Sequence, residues 1–170
     1  MARRYIHYEA AFEDYVRSQG WPYVAVEEHR KAVFGGARIK SFDFLVHRPA
    51  EKPWLVDVKG RKFPYQRTTG RRFWENWVTR EDLVALGRWK EVFGDDYEPV
   101  FVFAYWLTGD FGIDPAPAVH LFRGNYYAFA AVSATEYAAG AVTRSPKWDT
   151  LSVPVRRFRS LITPVARLCG

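Results

Sequence analysis

The sequence predicts an α/β sandwich, a central mixed β-sheet flanked by helices, with C-terminal additions. Three observations predict it. Segments of helical and strand period follow one another in the order helix, three strands, helix, strand. PVFVFAYWL (99–107) is apolar on both alternating faces, as in a central strand covered on both sides. The chain has 170 residues, 48% hydrophobic and 18% aromatic, which argues against disorder and favours one domain with a full-sized core. That domain divides into a core of about residues 6–106 and a C-terminal extension of about 107–170.

A first helix is expected from Ile6 to Gln19, with Tyr8, Phe12, Tyr15 and Val16 on one stripe and Gly20 as its stop. Glu9 lies on the flank of that stripe, closer to it than Glu13. PYVAVEE (22–28), SFDFLVHR (41–48) and WLVDVKG (54–60) read as strands; the first two are joined by the basic, glycine-containing connection HRKAVFGGARIK, the last two by a PAEKP turn. Residues 61–78 read as a long basic and aromatic loop. Thr79 starts a second helix through a capping-box variant in which Asp82 stands three residues on. Leu83, Leu86, Trp89 and Phe93 supply its buried stripe and Gly94 its end. After the central strand come a hairpin around Gly124 and Asn125, a short helix opened by a capping box at SATE (133–136), the strand-like LSVPV and a helix near the end.

No segment reaches the ~20 uninterrupted apolar residues of a membrane span. MARRYIHYEAAFEDY carries no apolar run of a secretory signal, and the single cysteine, Cys169, excludes a disulfide framework or a cysteine zinc cluster. A cytoplasmic setting with no membrane partner is expected. The net charge of +6 permits a polyanionic partner. Its distribution says more: Lys59, Arg61, Lys62, Arg67, Arg71 and Arg72 crowd one segment among Phe63, Tyr65, Phe73 and Trp74, and RRFR (156–159) forms a second basic cluster.

Side chains alternate across a strand, so Leu55, Asp57 and Lys59 share one face and Trp54, Val56 and Val58 the other. A hairpin symmetric about Ala50 would set Asp43 opposite Asp57. Carboxylates opposed in this way have Cβ atoms only ~4.5–5.5 Å apart, and their repulsion needs a shared proton, a nearby cation or a metal. Lys59 can neutralise one of them. A hard divalent ion would neutralise both, with Glu9 completing the acidic set. The alternative is a structural ion pair between Asp57 and Lys59 at a sheet edge.

These residues carry a resemblance. A helical glutamate, a strand aspartate fourteen residues before an acid-x-lysine, and the VDVKGRK order of acid, apolar residue, lysine, small residue and basic pair resemble the PD-(D/E)XK nuclease superfamily, archaeal-type Holliday junction resolvases in particular. The resemblance covers about residues 6–106 and implies a restriction-endonuclease-like sandwich. It implies a Mg²⁺-dependent (or Mn²⁺-dependent) DNA endonuclease of repair or recombination, leaving a 5′-phosphate. Asp43, Asp57 and the carbonyl of Val58 would hold the ion, and Glu9 would bind it directly or through water. Lys59 would orient the attacking water or offset phosphate charge. Arg61, Lys62, Arg67, Arg71 and Arg72 would follow the DNA, branched or single-stranded, and a homodimer is compatible with the family. HYEAAFE (7–13) also resembles the pattern of an uncharacterised bacterial family, HYExAFE. Two features depart from the nuclease patterns. Asp57 stands where resolvases commonly have glutamate, and the second helix lacks the Gln-x-x-x-Tyr signature of the exonuclease branch.

Other residues carry weaker signals. His7 reads as a phosphate contact or a packed histidine, and Glu27 and Glu28 as extra ligands or surface charge. Trp74 and Trp77 read as base-stacking platforms or as pins for the loop, and Lys147 and Trp148 as backbone contacts or, for Trp148, core. The competing functional readings are a non-catalytic nucleic-acid-binding module and an assembly domain on a nuclease fold.

Overall fold

The computed structural model describes residues 6–26, 32–34, 37–63, 74–108 and 119–164. Helix α1 (Ile6–Ser18) buries Tyr8, Ala11, Phe12, Tyr15 and Val16, a stripe of helical spacing. It ends at Gly20, whose φ of 71° turns the chain back while its N–H bonds to Arg17 O at 3.0 Å. Strand β1 (Tyr23–Ala25) follows, then a short hairpin of β2 (Ala32–Phe34) and β3 (Ala37–Ile39) inside the stretch expected to be a plain connection. The next strands are β4 (Phe44–Val46) and β5 (Trp54–Phe63). β5 runs three residues beyond its expected end, because Arg61, Lys62 and Phe63 continue the parallel ladder with the central strand.

β6 (Val78–Thr79) leads into α2 (Arg80–Phe93). The expected capping box is present: Asp82 N–H donates to Thr79 Oγ1 at 3.1 Å and Thr79 N–H donates to Asp82 Oδ2 at 3.0 Å. β7 (Glu98–Leu107) is the central strand. β8 (His120–Phe122) and β9 (Asn125–Ser133) form the expected hairpin, turning at Arg123 and Gly124 with φ of 47° and 78°. In α3 (Ala134–Gly140) the Ser133 side chain makes no cap hydrogen bond, so the box expected at SATE does not form. β10 (Val142–Ser145), β11 (Thr150–Ser152), α4 (Val155–Leu161) and β12 (Thr163–Pro164) complete the chain.

The main sheet has the order β1-β4-β5-β7-β9-β12, with β8 beside β9. β5 and β7 are parallel and joined through α2, and the other pairings are antiparallel, which makes the sheet mixed. The two faces follow strand alternation. Val56, Val58, Val100, Val102 and Ala104 meet α1 on one side; Leu55, Phe101, Phe103 and Tyr105 meet Leu86, Trp89, Tyr137 and Phe158 of the other helices on the opposite side. Residues placed by sequence in an extension thus enter the main sheet, since β9 pairs with β7 from Val100 to Leu107.

The last part of the chain also braces the entry to α2. β6 joins β11 and β10 in a small sheet. Asn76 is clamped against Val153 by paired bonds of 2.9 and 2.8 Å, and Tyr137 Oη donates to Asn76 O at 2.6 Å. These buried bonds fix the segment that ends in Thr79 and Asp82.

Candidate active site

β4 and β5 pair in the register expected from the sequence, Phe44 with Val56, Leu45 with Leu55 and Val46 with Trp54. The chain bends at Asp43, just before this ladder. Asp43 N–H donates to Val56 O at 2.8 Å, and its carboxylate Oδ2 accepts Val58 N–H at 2.7 Å. The side chain thus replaces a backbone rung and is held over β5, beside Asp57.

Both carboxyls are buried, with residue exposures of 8% for Asp43 and 7% for Asp57. Burial, and then the negative charges of Asp57 and Glu9, hold the Asp43 carboxyl well above its ordinary range; the Val58 N–H and Lys59 act against this. Burial also raises the Asp57 carboxyl, with Asp82 adding to the rise and Lys59 and Lys40 opposing it.

Lys59 lies between two acids: its Nζ is 3.2 Å from Asp57 Oδ1 and 3.0 Å from Asp82 Oδ2. Burial favours a neutral amine, but the two carboxylates outweigh it and raise the Lys59 pKa. Asp82 also takes Lys40 on Oδ1. Burial alone would push the Asp82 carboxyl up; Lys59, Lys40 and the Thr79 N–H lower it to about 2.

Asp82 is the site residue that sequence reading missed. Its capping role accounted for it locally, while its ion pair with Lys59 joins two separate elements. The available signal was the unusual choice of a short acid at the third helical position, which brings the charge close to the backbone and the sheet rather than toward solvent.

Glu9 reaches the site through the packing of α1. Its neighbour Tyr8 lies directly on Gly60, where a Cβ would stand 2.1 Å from Tyr8 Cδ2. Only glycine lets α1 approach β5 this closely. Glu9 is half-buried, and its charge acts on Asp43.

The structure therefore brings Asp43, Asp57 and Lys59 together, with Val58 between the two acids through its N–H and Glu9 at the margin. Among the described residues, no three His, Cys, Asp or Glu side chains are grouped closely enough to hold a metal ion. The donor chemistry nevertheless fits a hard cation: two buried carboxylates, each disfavoured as an anion, are oxygen ligands whose repulsion such an ion relieves.

The expected nucleic-acid residues divide. Arg61 is held inward. It is 6% exposed, its guanidinium donates to Gly60 O at 2.7 Å and to Trp77 O, and it lies 3.9 Å from the centre of the Trp77 ring. An arginine directed inward in this way ties β5 to the 74–77 segment. Lys62 is exposed, with Nζ 5.6 Å from the Trp106 ring. Arg67, Arg71 and Arg72 lie outside the described residues, as do Glu27 and Glu28.

The remaining candidates are also placed. His7 packs, bonding through Nδ1 to Tyr127 Oη at 2.9 Å, and burial lowers its pKa. Trp74 stacks on Phe63 at 3.8 Å and meets Tyr105 edge-on, so its ring packs on the core. Trp148 is 68% exposed and no part of the core. In RRFR only Phe158 is buried, and its three arginines are exposed.

Comparison with known proteins adds one finding. No protein-family model matches the sequence, and no curated protein does. HYEAAFE therefore remains a local pattern. Among solved structures, the chain is similar to Hjc, a Holliday junction resolvase from the archaeal hyperthermophile Archaeoglobus fulgidus, with a TM-score of 0.55 over 97% of this chain and 99% of that one. The fold is nuclease-like. The two sequences are 12% identical, so the likeness concerns the fold. No helix among the described residues is long and apolar enough to cross a membrane.

Proposed function

We propose that the protein is a divalent-metal-dependent deoxyribonuclease that hydrolyses phosphodiester bonds as an endonuclease, acting on branched or otherwise interrupted DNA in repair or recombination. The observation that carries this reading is the pair of adjacent buried carboxyls, Asp43 and Asp57, with the Lys59 ammonium beside them, on a resolvase-like fold. Asp43, Asp57 and the Val58 carbonyl would hold Mg²⁺ or Mn²⁺, with Glu9 as a further oxygen donor. When bound, the ion would neutralise phosphate charge and make a water molecule more acidic.

The protein's own groups do the rest. With a cation held there, Asp43 and Asp57 would both bind as carboxylates, any proton that burial keeps on the pair passing to solvent. Lys59 would then share Asp57 with the ion and stay paired with Asp82, which is ionised because its pKa is about 2. The ammonium so held would orient the attacking water or stabilise developing negative charge on the phosphate. Lys62, Arg67, Arg71 and Arg72 would follow the backbone phosphates, and a homodimer would suit a two-stranded cut.

One observation favours a second reading, a non-catalytic nucleic-acid-binding module: Asp57 and Asp82 already have Lys59 and Lys40 as counter-charges without a metal. Cleavage of linear, nicked, flapped and four-way-junction DNA in Mg²⁺ or Mn²⁺ separates the two. The nuclease reading expects cutting of at least one substrate, abolished by a chelator. Binding without cutting under every condition supports the second reading.

A further inference from the structure

β10 and β11 meet at a tip, Ser145 to Asp149, on which Trp148 is the most exposed large hydrophobic residue among the described residues, at 68%. An indole so placed gives up the burial that normally makes tryptophan useful. The tip is well fixed. Asp149 N–H bonds to Pro146 O at 3.3 Å and Trp148 N–H to Ser145 Oγ at 3.4 Å, and Asp149 has a φ of 50°. Arg80 grips it twice, through its N–H to Asp149 O at 3.0 Å and its Nε to Asp149 Oδ1 at 3.1 Å.

This anchoring connects the tip to the candidate active site. Thr150, two residues beyond Trp148, pairs with Thr79, which caps α2 together with Asp82, and Asp82 holds Lys59. The exposed indole is built on the frame that positions the catalytic lysine. Its surroundings are cationic. Lys147 Nζ lies 5.1 Å from the Trp148 ring, and Arg144, also exposed, extends over Trp77 at 5.4 Å. The only acid between Val142 and Asp149 is Asp149 itself, already paired with Arg80. A flat aromatic face beside cations that have no carboxylate partner among the described residues is complementary to a base with its flanking phosphates.

We infer that the β10–β11 tip is a stacking platform for an unpaired nucleotide of DNA next to the cleavage site, Trp148 taking the base and Lys147 and Arg144 the phosphates on either side. The inference rests on the proposed nuclease reading and gives that site a preference for gapped or branched DNA over continuous duplex.

The test is fluorescence anisotropy with labelled continuous duplex, gapped duplex and four-way-junction DNA, in chelator so that no strand is cut. Trp148→Ala is expected to weaken binding to gapped DNA about 5- to 150-fold, the range for one lost base stack, and to change duplex binding less than about twofold. Trp148→Phe retains most of the affinity, and Lys147→Ala lowers the salt slope by about 1. The melting temperature of Trp148→Ala stays at the wild-type value, because the side chain is exposed. Wild-type affinity of Trp148→Ala for gapped DNA, an equal loss on all three DNAs, or no DNA binding by the wild-type protein overturns the inference. Cleavage by the wild-type protein is measured separately in Mg²⁺. Trp148-dependent binding without cutting would leave the platform standing and remove the nuclease.

Discussion

Replacing Asp82 by asparagine tests whether this acid anchors Lys59. Asparagine keeps an oxygen for the Thr79 N–H but loses the ion pairs to Lys59 and Lys40. In the folded protein the Asp82 pKa is lowered from 3.8 to about 2. At about 1.36 kcal/mol per pH unit, that difference corresponds to about 2.4 kcal/mol of stability. The side chain is only 3% exposed, so solvent screening removes little of it. Because the folded pKa is depressed, this stability is fully present above the unfolded value and is lost as pH falls through about 2. About half remains at pH 3. Asp82→Asn is therefore expected to be about 2 kcal/mol less stable at pH 7, roughly 4–8 °C in melting temperature for a chain of this size. The gap should narrow toward pH 3. Urea and thermal unfolding at both pH values measure it. A deficit below about 0.5 kcal/mol at pH 7, within the range of an ordinary surface change, would refute the anchoring argument.

Two further perturbations address the neighbouring groups. The Asp43 carboxyl has a raised folded pKa, so without a cation it costs stability as pH rises from the ordinary carboxylate range through that raised value. Asp43→Asn should be more stable than the wild type in chelator at pH 7. It should also lack the rise in melting temperature expected of the wild type in Mg²⁺ or Mn²⁺, worth about 2.7 kcal/mol at a hundred times Kd; a metal response equal to the wild type's would argue against Asp43 as a ligand. Gly60→Ala would place a methyl 2.1 Å from Tyr8 Cδ2. It should cost about 1–3 kcal/mol as overpacking and weaken the metal response by moving Glu9; unfolding in wild-type fashion would show that α1 yields freely.

Much of this site was legible because strand alternation is local. The placement of Asp57 and Lys59 on one face needed only the period of two, and the β4–β5 register followed from the turn between them. The same rule also held the signal for Arg61. As an odd-numbered residue of a strand that continues to Phe63, it shares the inward face of Asp57 and Lys59. Ending the strand at Gly60 concealed this, and Trp77, on which Arg61 stacks, lies sixteen residues away. The β2–β3 hairpin was hidden because two triplets, AVF and ARI, around a Gly-Gly pair are too short to show a period. The exposure of Trp148 was not legible, since neither composition nor spacing distinguishes an indole at a turn tip from one in a core.

The central claim is that Lys59 acts on a phosphate beside Asp43 and Asp57, and single-turnover cleavage by Lys59→Ala tests it most directly. Removing one well-placed charge from such a site is typically worth ~10²–10³ in rate. Run below the variant's melting temperature, with DNA binding and metal stabilisation checked on the same protein, the assay should show both retained and cleavage at least about a hundredfold slower. Lys59→Arg should recover little, because a planar guanidinium does not reproduce a compact ammonium held between two acids. A folded Lys59→Ala protein that cuts DNA at the wild-type rate would contradict the account.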